Sequence, residues 1–400
     1  MSKAMPPKKT KTKKTALQKV LIALITIAST VIIAFIGVIA YGMMTNVDDP
    51  EPEVIMQTPE PTPEPTIEPT APPLVEAPEP EETPEPEPEP EFLSPFTGLP
   101  MATEELTRVR PLAVALANTS DALPLNGVSH ADIIYEVLVE GGLTRLLAIF
   151  QDYTEVEKIG CIRSARHYTA EIAEGYNALL TTAGGSPQGL AQIKKSGQVH
   201  LNELGGKYRD IFYRDRNRIP NQRSQSMHSM VTTNERLLEW LPTYDFPLDY
   251  EDDYEFVLSF VEDGTPQGGS GARDVEVNFS SGKKTSFTYD NNDNGYYMRQ
   301  YNTDFVDAND NSRPLFTNIL ILQTAVSRIS GDEAGRINLN TLGPGEGYFV
   351  CGGKYIKINW YRLDTASQFI YTREDGSRLD LGVGKTFICY IPNNMEATFS

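Results

Sequence analysis

The chain has 400 residues and a formal net charge of −19 at pH 7. This length allows two medium-sized domains, and so acidic a balance argues against non-specific binding to nucleic acid. The charge is unevenly spread: residues 1–47 contain seven lysines and no acid, whereas residues 48–91 contain fifteen acids and no lysine or arginine. Residues 92–400 then hold 28 basic and 39 acidic residues, so their net charge is only −11.

A long apolar segment follows the basic N-terminal tail. Residues 1–19 carry the lysines, and Val20–Met44 contains no charged residue. Because about 20 apolar residues form a helix that crosses the hydrocarbon core, this segment is long enough to span a membrane. The alternative, a cleaved signal peptide, has a shorter apolar region of about 7 to 15 residues. The sequence predicts an uncleaved single-pass helix, with the tail in the cytoplasm and the remaining chain outside.

Residues 45–91 form a predicted linker. Between Asp48 and Glu91, fifteen of 44 residues are proline and fifteen are acidic. This composition buries too little apolar surface to fold, so the sequence predicts a disordered segment. The linker is either a stalk that carries the domains into a cell wall or a passive spacer, and both alternatives predict the same chain behaviour.

The predicted N-terminal domain, residues 92–241, mixes strands with helices. Arg110–Asn118 is an apolar run typical of a buried strand, and Ala131–Gln151 reads as two strands joined at Gly141-Gly142, which suits a hairpin turn. Helix starts are predicted at Ser164, at Ser186 and within Thr232–Trp240. These alternating patterns indicate a mixed α/β domain.

The predicted C-terminal domain, residues 274–395, is mostly β. It contains eight short β-like runs separated by Gly, Asn and Asp, with a second hairpin turn at Gly352-Gly353. Residues 242–273 are predicted to be an interdomain connector, which looks flexible because it is rich in glycine. The complete prediction is an α+β protein behind a transmembrane helix and a disordered linker.

Three cysteines occur in the chain: Cys161, Cys351 and Cys389. Cys351 and Cys389 fall on predicted strands of one domain, so a disulfide between them is one alternative. The other alternative is that all three are small buried apolar residues. Cysteine and histidine spacing shows no zinc pattern, and the sequence predicts neither a metal nor a cofactor.

The segment Gly160–Ser224 carries an excess of positive charge. It has ten basic residues, seven of them arginines, and five acids. Arginine grips phosphate or carboxylate at two points, and free N–H groups at helix starts add to the attraction for an anion. We therefore regard Arg163, Ser164, Arg166 and Ser186 as candidate residues of an anion site.

An internal ion-pair network is the alternative to that anion site. Strand alternation places Glu136 and Glu140 on one strand face, and Arg145 lies just past the turn. Both alternatives hold if a network orients the arginines that face a ligand. His228 is a candidate for proton transfer. The two glutamates are about 13 Å apart along a strand, too far for a glycosidase pair.

The chain resembles a known bacterial family. "RPLAVALAN", "ADIIYEVLVEGGLTRLLAIFQ", "IGCIRSARHY", "GGSP" and "MHSMVTT" are similar to the N-terminal domain of the YerB-like family of extracytoplasmic proteins. "GEGYFVCGGKYIKINWYR" and "DGSRLDLGVGKTFICYIP" resemble its C-terminal domain. The resemblance implies a location in the cell envelope and supplies no catalytic mechanism. Two departures stand out: a transmembrane helix replaces the family's lipidated cysteine, and Met227-His228-Ser229 replaces its usual Pro-His-Asn.

Three functions remain open at this stage. The first is a non-enzymatic envelope protein that binds an anionic wall polymer or lipid-linked phosphate at the arginines. The second is an envelope enzyme, a hydrolase or transferase acting on wall polymers, with His228 or Glu136 moving protons. The third is a scaffold for another membrane protein. The sequence favours the first function over catalysis.

Overall fold

The structure is a computed structural model that describes residues 92–219 and 227–400. The predicted tail, transmembrane helix and linker lie outside the described residues. In the part of the chain that is described, no helix is both long and apolar enough to cross a membrane. Mixed sheets and few helices make this part mostly β, in agreement with the α+β class.

The helices of the described ranges are short. They are α1 (Glu104–Arg108), α2 (His167–Gly175), α3 (Pro187–Ser196) and α4 (Asn234–Trp240). Short 3₁₀ turns cover Glu140–Gly142, Glu203–Gly205, Arg209–Ile211 and Leu241–Thr243. Ser186 caps α3 as predicted, since its hydroxyl accepts the Gly189 N–H over 3.0 Å. Ser164 does not cap α2: that N-cap is Arg166, and the Ser164 hydroxyl donates to Ala183 O over 2.9 Å instead.

Twenty-four strands occur in the described residues. The N-terminal ones are β1 (Leu112–Asn118), β2 (Ile133–Leu138), β3 (Thr144–Phe150), β4 (Lys158–Gly160), β5 (Leu179–Thr182), β6 (His200–Asn202), β7 (Tyr213–Arg214) and β8 (Met230–Thr233). They are followed by β9 (Phe260–Val261), β10 (Ser270–Gly271), β11 (Asp274–Ser280), β12 (Lys283–Asp290), β13 (Gly295–Gln300), β14 (Thr303–Asp304), β15 (Leu315–Phe316) and β16 (Asn318–Thr324). The last are β17 (Val326–Arg328), β18 (Ile337–Leu339), β19 (Gly345–Cys351), β20 (Lys354–Tyr361), β21 (Ile370–Arg373), β22 (Leu381–Gly382), β23 (Thr386–Pro392) and β24 (Ala397–Phe399).

A central mixed sheet of eleven strands joins the two predicted domains. Its order is β10-β20-β19-β16-β23-β2-β3-β1-β5-β6, with β21 beside β20. The N-terminal and C-terminal strands meet where β2 runs parallel to β23. All residues of β1, β2, β3 and β23 are buried, which explains why these strands are mostly apolar, with Glu136 and Arg145 as buried charged exceptions. The two hairpins predicted at paired glycines, β2–β3 and β19–β20, are confirmed.

A second sheet packs against the central one. It has the order β14-β13-β12-β11-β24, with β15 beside β13, and its strands alternate between buried and exposed residues. Phe287 of β12 meets Phe387 of β23 edge to face, with ring centroids 5.1 Å apart. This contact places the inner face of β12 over the middle of the central sheet, close to the β2–β23 junction.

The connector is packed rather than flexible, which corrects that part of the prediction. Its strand β10 pairs with β20, and β9 pairs with β22. Gly264 lies so close to the Gly382 backbone that an added Cβ would stand 2.5 Å from the Gly382 Cα. The predicted disulfide alternative is wrong for this structure: Cys161, Cys351 and Cys389 are all free and buried.

Candidate functional site

The first part of the predicted cationic segment, residues 161–166, is a loop between β4 and α2, and β1 and β5 hold it in place. Ala117 N–H donates to Cys161 O over 3.0 Å, and Arg163 N–H donates to Ala115 O over 2.7 Å. Just past β5, Ala183 N–H donates to Arg163 O over 3.0 Å. Because these bonds fix the backbone, the arginine side chains leave the loop from defined positions.

Arg166 and Glu140 form a two-point ion pair. Arg166 Nε donates to Glu140 Oε2 over 3.0 Å, and Arg166 Nη2 donates to the other carboxylate oxygen. Arg166 is 6% exposed. Burial acts to raise the pKa of Glu140, but the hydrogen bond and charge of Arg166 outweigh it and hold that pKa below its usual range. This pair belongs to the internal network that the sequence offered as an alternative.

Arg145 lies beside this pair on β3. It is 7% exposed, and its guanidinium donates to Ser164 O. Burial, followed by the charges of Arg166 and Arg163, lowers the pKa of Arg145 to about 9. Within the described ranges, no carboxylate comes within ion-pairing distance of Arg145. In the described part of the chain, the buried guanidinium is thus met by a backbone carbonyl and, at longer range, by Glu140.

Arg163 lies partly exposed at the edge of the same group. Its Nη1 donates to Met227 O over 2.9 Å, and among the described residues it too has no carboxylate within ion-pairing distance. Ser186 N–H donates to Ala165 O over 3.0 Å, which ties the start of α3 to the loop. We call Arg145, Arg163 and Arg166 the arginine cluster. Within residues 92–219 and 227–400, its three positive charges face one near carboxylate, that of Glu140.

His228 lies between the carboxylate of Asp121 and the thiol of Cys161. Its Nε2 lies 3.1 Å from Asp121 Oδ2, and its Nδ1 lies 3.6 Å from Cys161 Sγ. This order of thiol, imidazole and carboxylate resembles a nucleophile with its base. However, Cys161 is fully buried, and burial raises the pKa of its thiol. Because a buried neutral thiol is a poor nucleophile, the geometry favours a structural role for these three residues.

Glu136 lies away from the arginine cluster, which corrects its predicted partnership with Glu140. β2 ends at Leu138, so Glu140 lies in the turn and not on the strand face of Glu136. Glu136 Oε1 lies 3.0 Å from Lys283 Nζ on β12, and both side chains are almost fully buried. Of the predicted site residues, the structure brings together Arg145, Arg163, Ser164, Arg166 and Glu140. Ser186 and His228 lie next to this group. Glu136 instead contacts the second sheet.

Sequence reasoning missed three functional-looking residues: Asp121, Arg218 and Lys283. Arg218 Nε donates to His228 O over 2.8 Å, and its other nitrogens bond to backbone carbonyls of residues 122 and 124. For Lys283 a signal was available, since strand alternation places it on the same face as the apolar Phe287. A lysine on a buried face indicates a buried carboxylate partner. Asp121 and Arg218 lie in irregular segments that carry no such periodicity.

No group of three or more potential metal ligands from His, Cys, Asp and Glu converges in the described ranges. Apart from Glu140, which is paired with Arg166, and the neighbouring His228, the polar side chains of the site are arginines and serines, and the serines are engaged in hydrogen bonds. The arrangement presents guanidinium groups at and just below the surface, and such groups suit an anion.

Comparisons with known proteins show which family the chain belongs to. Residues 96–244 match the family described as "Protein of unknown function (DUF3048) N-terminal domain", and residues 275–388 match its C-terminal domain. The chain belongs to this family of two-domain proteins, as the sequence resemblance indicated.

The YerB protein of Bacillus subtilis is similar to the chain both in sequence and in structure. "Putative lipoprotein YerB" of Bacillus subtilis (strain 168) is 27% identical over 310 residues, covering 77% of this chain and 88% of that protein. The crystal structure of the YerB protein from Bacillus subtilis matches with a TM-score of 0.65 at 24% identity, covering 77% of this chain and 100% of that one. The latter similarity establishes the fold.

Proposed function

We propose that the chain is a membrane-attached extracytoplasmic protein that binds an anionic component of the cell envelope at the arginine cluster. The ligand class is a phosphate or carboxylate polymer, or a lipid-linked phosphate. The observation that carries the proposal is Arg145, a buried cation beside two further arginines and, among the described residues, one near carboxylate. Moving a charge out of water without a counter-ion is costly, so an external anion would stabilise this group.

The geometry suits such an anion. Arg163 is partly exposed and can offer its remaining N–H groups to a ligand oxygen while one nitrogen stays on Met227 O. Arg166 is already paired with Glu140, so its role is to orient the group and to raise the local positive potential. Arginine binds phosphate and carboxylate through paired N–H donors, which favours these two chemical classes over other anions.

Membrane attachment is part of the same proposal. Its support is the apolar segment Val20–Met44 and the similarity to a relative whose name includes the word lipoprotein. We expect alkaline phosphatase fused after residue 400 to be active in cells, and the chain to resist extraction with alkaline carbonate. Release by carbonate, or an inactive fusion, would contradict the single-pass topology with outside domains.

Binding is tested with the full chain in detergent micelles and two polymers, poly(glycerol phosphate) and poly-L-glutamate. We expect at least one polymer to bind, and binding to weaken strongly between about 0.05 and 0.5 M salt because charge attraction is screened. Arg163→Gln should weaken that binding about tenfold or more, equivalent to about 1.4 kcal/mol. The two polymers separate the phosphate ligands from the carboxylate ligands.

Arg328→Gln is the matched control. Arg328 lies exposed on β17, far from the site in sequence, and the same change of charge there should leave the affinity within about twofold. Thermal unfolding checks that both variants stay folded. The proposal fails if neither polymer binds the wild type, or if Arg163→Gln and Arg328→Gln weaken binding equally.

A further inference from the structure

Tyr301 has a backbone conformation that its side chain disfavours. Tyr301 and Asn302 form the tight turn between β13 and β14, with φ values of +52° and +61°. Turns of this kind favour glycine or asparagine, because positive φ brings a Cβ atom too close to the backbone. A bulky residue in this conformation is strained, and such strain is concentrated at functional sites.

Two contacts fix the position of the tyrosine ring. The Tyr301 hydroxyl donates to Asn118 O at the end of β1 over 2.8 Å. Lys283 Nζ lies 4.9 Å from the ring centroid, within cation–π range. These contacts hold the ring where β1 of the central sheet meets β12 of the second sheet, and Tyr301 remains partly exposed there.

The ring separates two surface hollows that both include Tyr301 in their walls. The first has a volume of about 370 Å³, and its wall is polar, with Ser286, Gln300 and Asn302 among the lining residues. The second has a volume of about 340 Å³, and its wall is mainly apolar, with Leu123 and Phe305 among the lining residues. Each volume lies at the small end of the range for ligand pockets, about 300–1,000 Å³. We call the two hollows with the ring between them the Tyr301 groove.

The charged groups of the groove are already paired. Lys284 Nζ lies 2.6 Å from Glu276 Oε2, and Arg299 Nε lies 3.0 Å from Asp304 Oδ1. Lys283, at the base of the polar hollow, is neutralised by Glu136. The groove therefore offers little net attraction to an anion, in contrast to the arginine cluster. What it offers is closely spaced donors and acceptors, which suit the neighbouring hydroxyl groups of a neutral polyol.

We propose that the Tyr301 groove binds an oligosaccharide that carries N-acetyl groups. An aromatic ring supplies a flat apolar face for the C–H side of a sugar ring, and the paired charges and amides bind its hydroxyl groups. The apolar hollow accepts the methyl group of an acetamido substituent on the neighbouring sugar. This site is separate from the arginine cluster, and the inference does not depend on the function proposed there.

The test uses the full chain in detergent micelles and two tetrasaccharides with the same β-1,4-linked backbone. One is the tetramer of N-acetylglucosamine, and the other is cellotetraose, which lacks acetamido groups. We expect the N-acetylated tetramer to bind in calorimetric titration with a dissociation constant of about 1 mM or lower. Cellotetraose should bind about fivefold or more weakly, because the apolar hollow then stays unfilled.

Four variants locate the binding. Tyr301→Gly removes the ring at a position where the backbone favours glycine, so the chain should fold, and binding should weaken at least about tenfold. Tyr301→Phe keeps the ring and should stay within about threefold of the wild type. Tyr361→Ala removes an exposed tyrosine elsewhere, on β20, and should bind like the wild type. Val306→Asn, in the apolar hollow, should reduce the preference for the N-acetylated tetramer without removing the ring.

Clear outcomes overturn the inference. It is wrong if the N-acetylated tetramer shows no saturable binding up to about 10 mM, or if Tyr301→Gly binds as tightly as Tyr361→Ala. Equal binding of both tetrasaccharides would overturn the acetamido preference. If Tyr301→Gly does not fold, Val306→Asn decides, since an unchanged preference in that variant excludes the apolar hollow from the site.

Discussion

Glu136 and Lys283 show how one buried charge pair can tie two sheets together. Glu136 Oε1 also accepts from Thr144 over 2.7 Å, and Oε2 accepts from Thr285 over 2.8 Å. Lys283 Nζ donates to Gln300 Oε1 over 2.8 Å. With both ions satisfied in this way, the desolvation of each is offset by its partner and by neutral hydrogen bonds.

The stability losses caused by removing Glu136 and Lys283 should be strongly coupled. We expect Glu136→Gln and Lys283→Met each to lower the free energy of unfolding by about 3–5 kcal/mol, because each leaves an unpaired buried charge. The double variant should lose clearly less than the sum of the two, since it leaves no unpaired ion. Urea unfolding of the four proteins measures this coupling. Additive losses would show that the two residues do not depend on each other.

Asp132 and Lys385 mark the start of the β2–β23 pairing. Each lies one residue before its strand, and Thr386 N–H donates to Asp132 O over 3.0 Å. Burial raises the pKa of Asp132 to about 6, although the Gln151 N–H and the charge of Lys385 act in the opposite direction. Burial also lowers the pKa of Lys385. Folding therefore makes the charged form of Asp132 less favourable than it is in the unfolded chain, although a group with a pKa of about 6 is still mostly ionised at pH 7.

The pH dependence of the free energy of unfolding should show the titration of Asp132. Its folded pKa of about 6 lies above the ordinary value of 3.8, so the folded state binds a proton more readily than the unfolded state. The contribution of Asp132 to stability therefore rises as the pH falls from about 6 towards 4. Asp132→Asn removes it, so the stability of the variant relative to the wild type should be higher at pH 7 than at pH 4, by about 1–3 kcal/mol. If the free energy of unfolding depended on pH in the same way in both proteins, the raised pKa of Asp132 would be contradicted.

Elements with local signals were predictable from the sequence, whereas their partners were not. The glycine pairs at both hairpins and the Ser186 cap depend on a few neighbouring residues, and all were confirmed. The Ser164 cap was wrong because a tertiary contact, the Ala183 carbonyl, takes its hydroxyl. The same contrast holds for the glutamates. Glu140, which pairs with Arg166, lies in a hairpin turn, whereas the partner of Glu136 comes from a strand that is distant in sequence. Periodicity indicates that a face is buried and does not say which strand covers it.

At the scale of the whole molecule, the two predicted domains share one sheet and one core. β23, from the C-terminal segment, lies between β2 and β16, and every one of its residues is buried. Without the C-terminal segment, β2 would lose its parallel neighbour and present an unpaired apolar edge. Glu136 would also lose Lys283 and remain as an unpaired buried charge.

We therefore expect residues 92–400 to unfold as one cooperative unit, although the family is described by two separate domains. Calorimetry on the full chain should show one transition for this part, with equal calorimetric and van't Hoff enthalpies. Residues 92–241 expressed alone should aggregate or stay unfolded, because the edge of β2 and the carboxylate of Glu136 are then uncovered. Co-expression with residues 242–400 should restore a soluble complex, since the β2–β23 pairing needs no covalent link. Two separate transitions, or a stable monomeric fragment 92–241, would show instead that the shared sheet contributes little and that each domain keeps its own core.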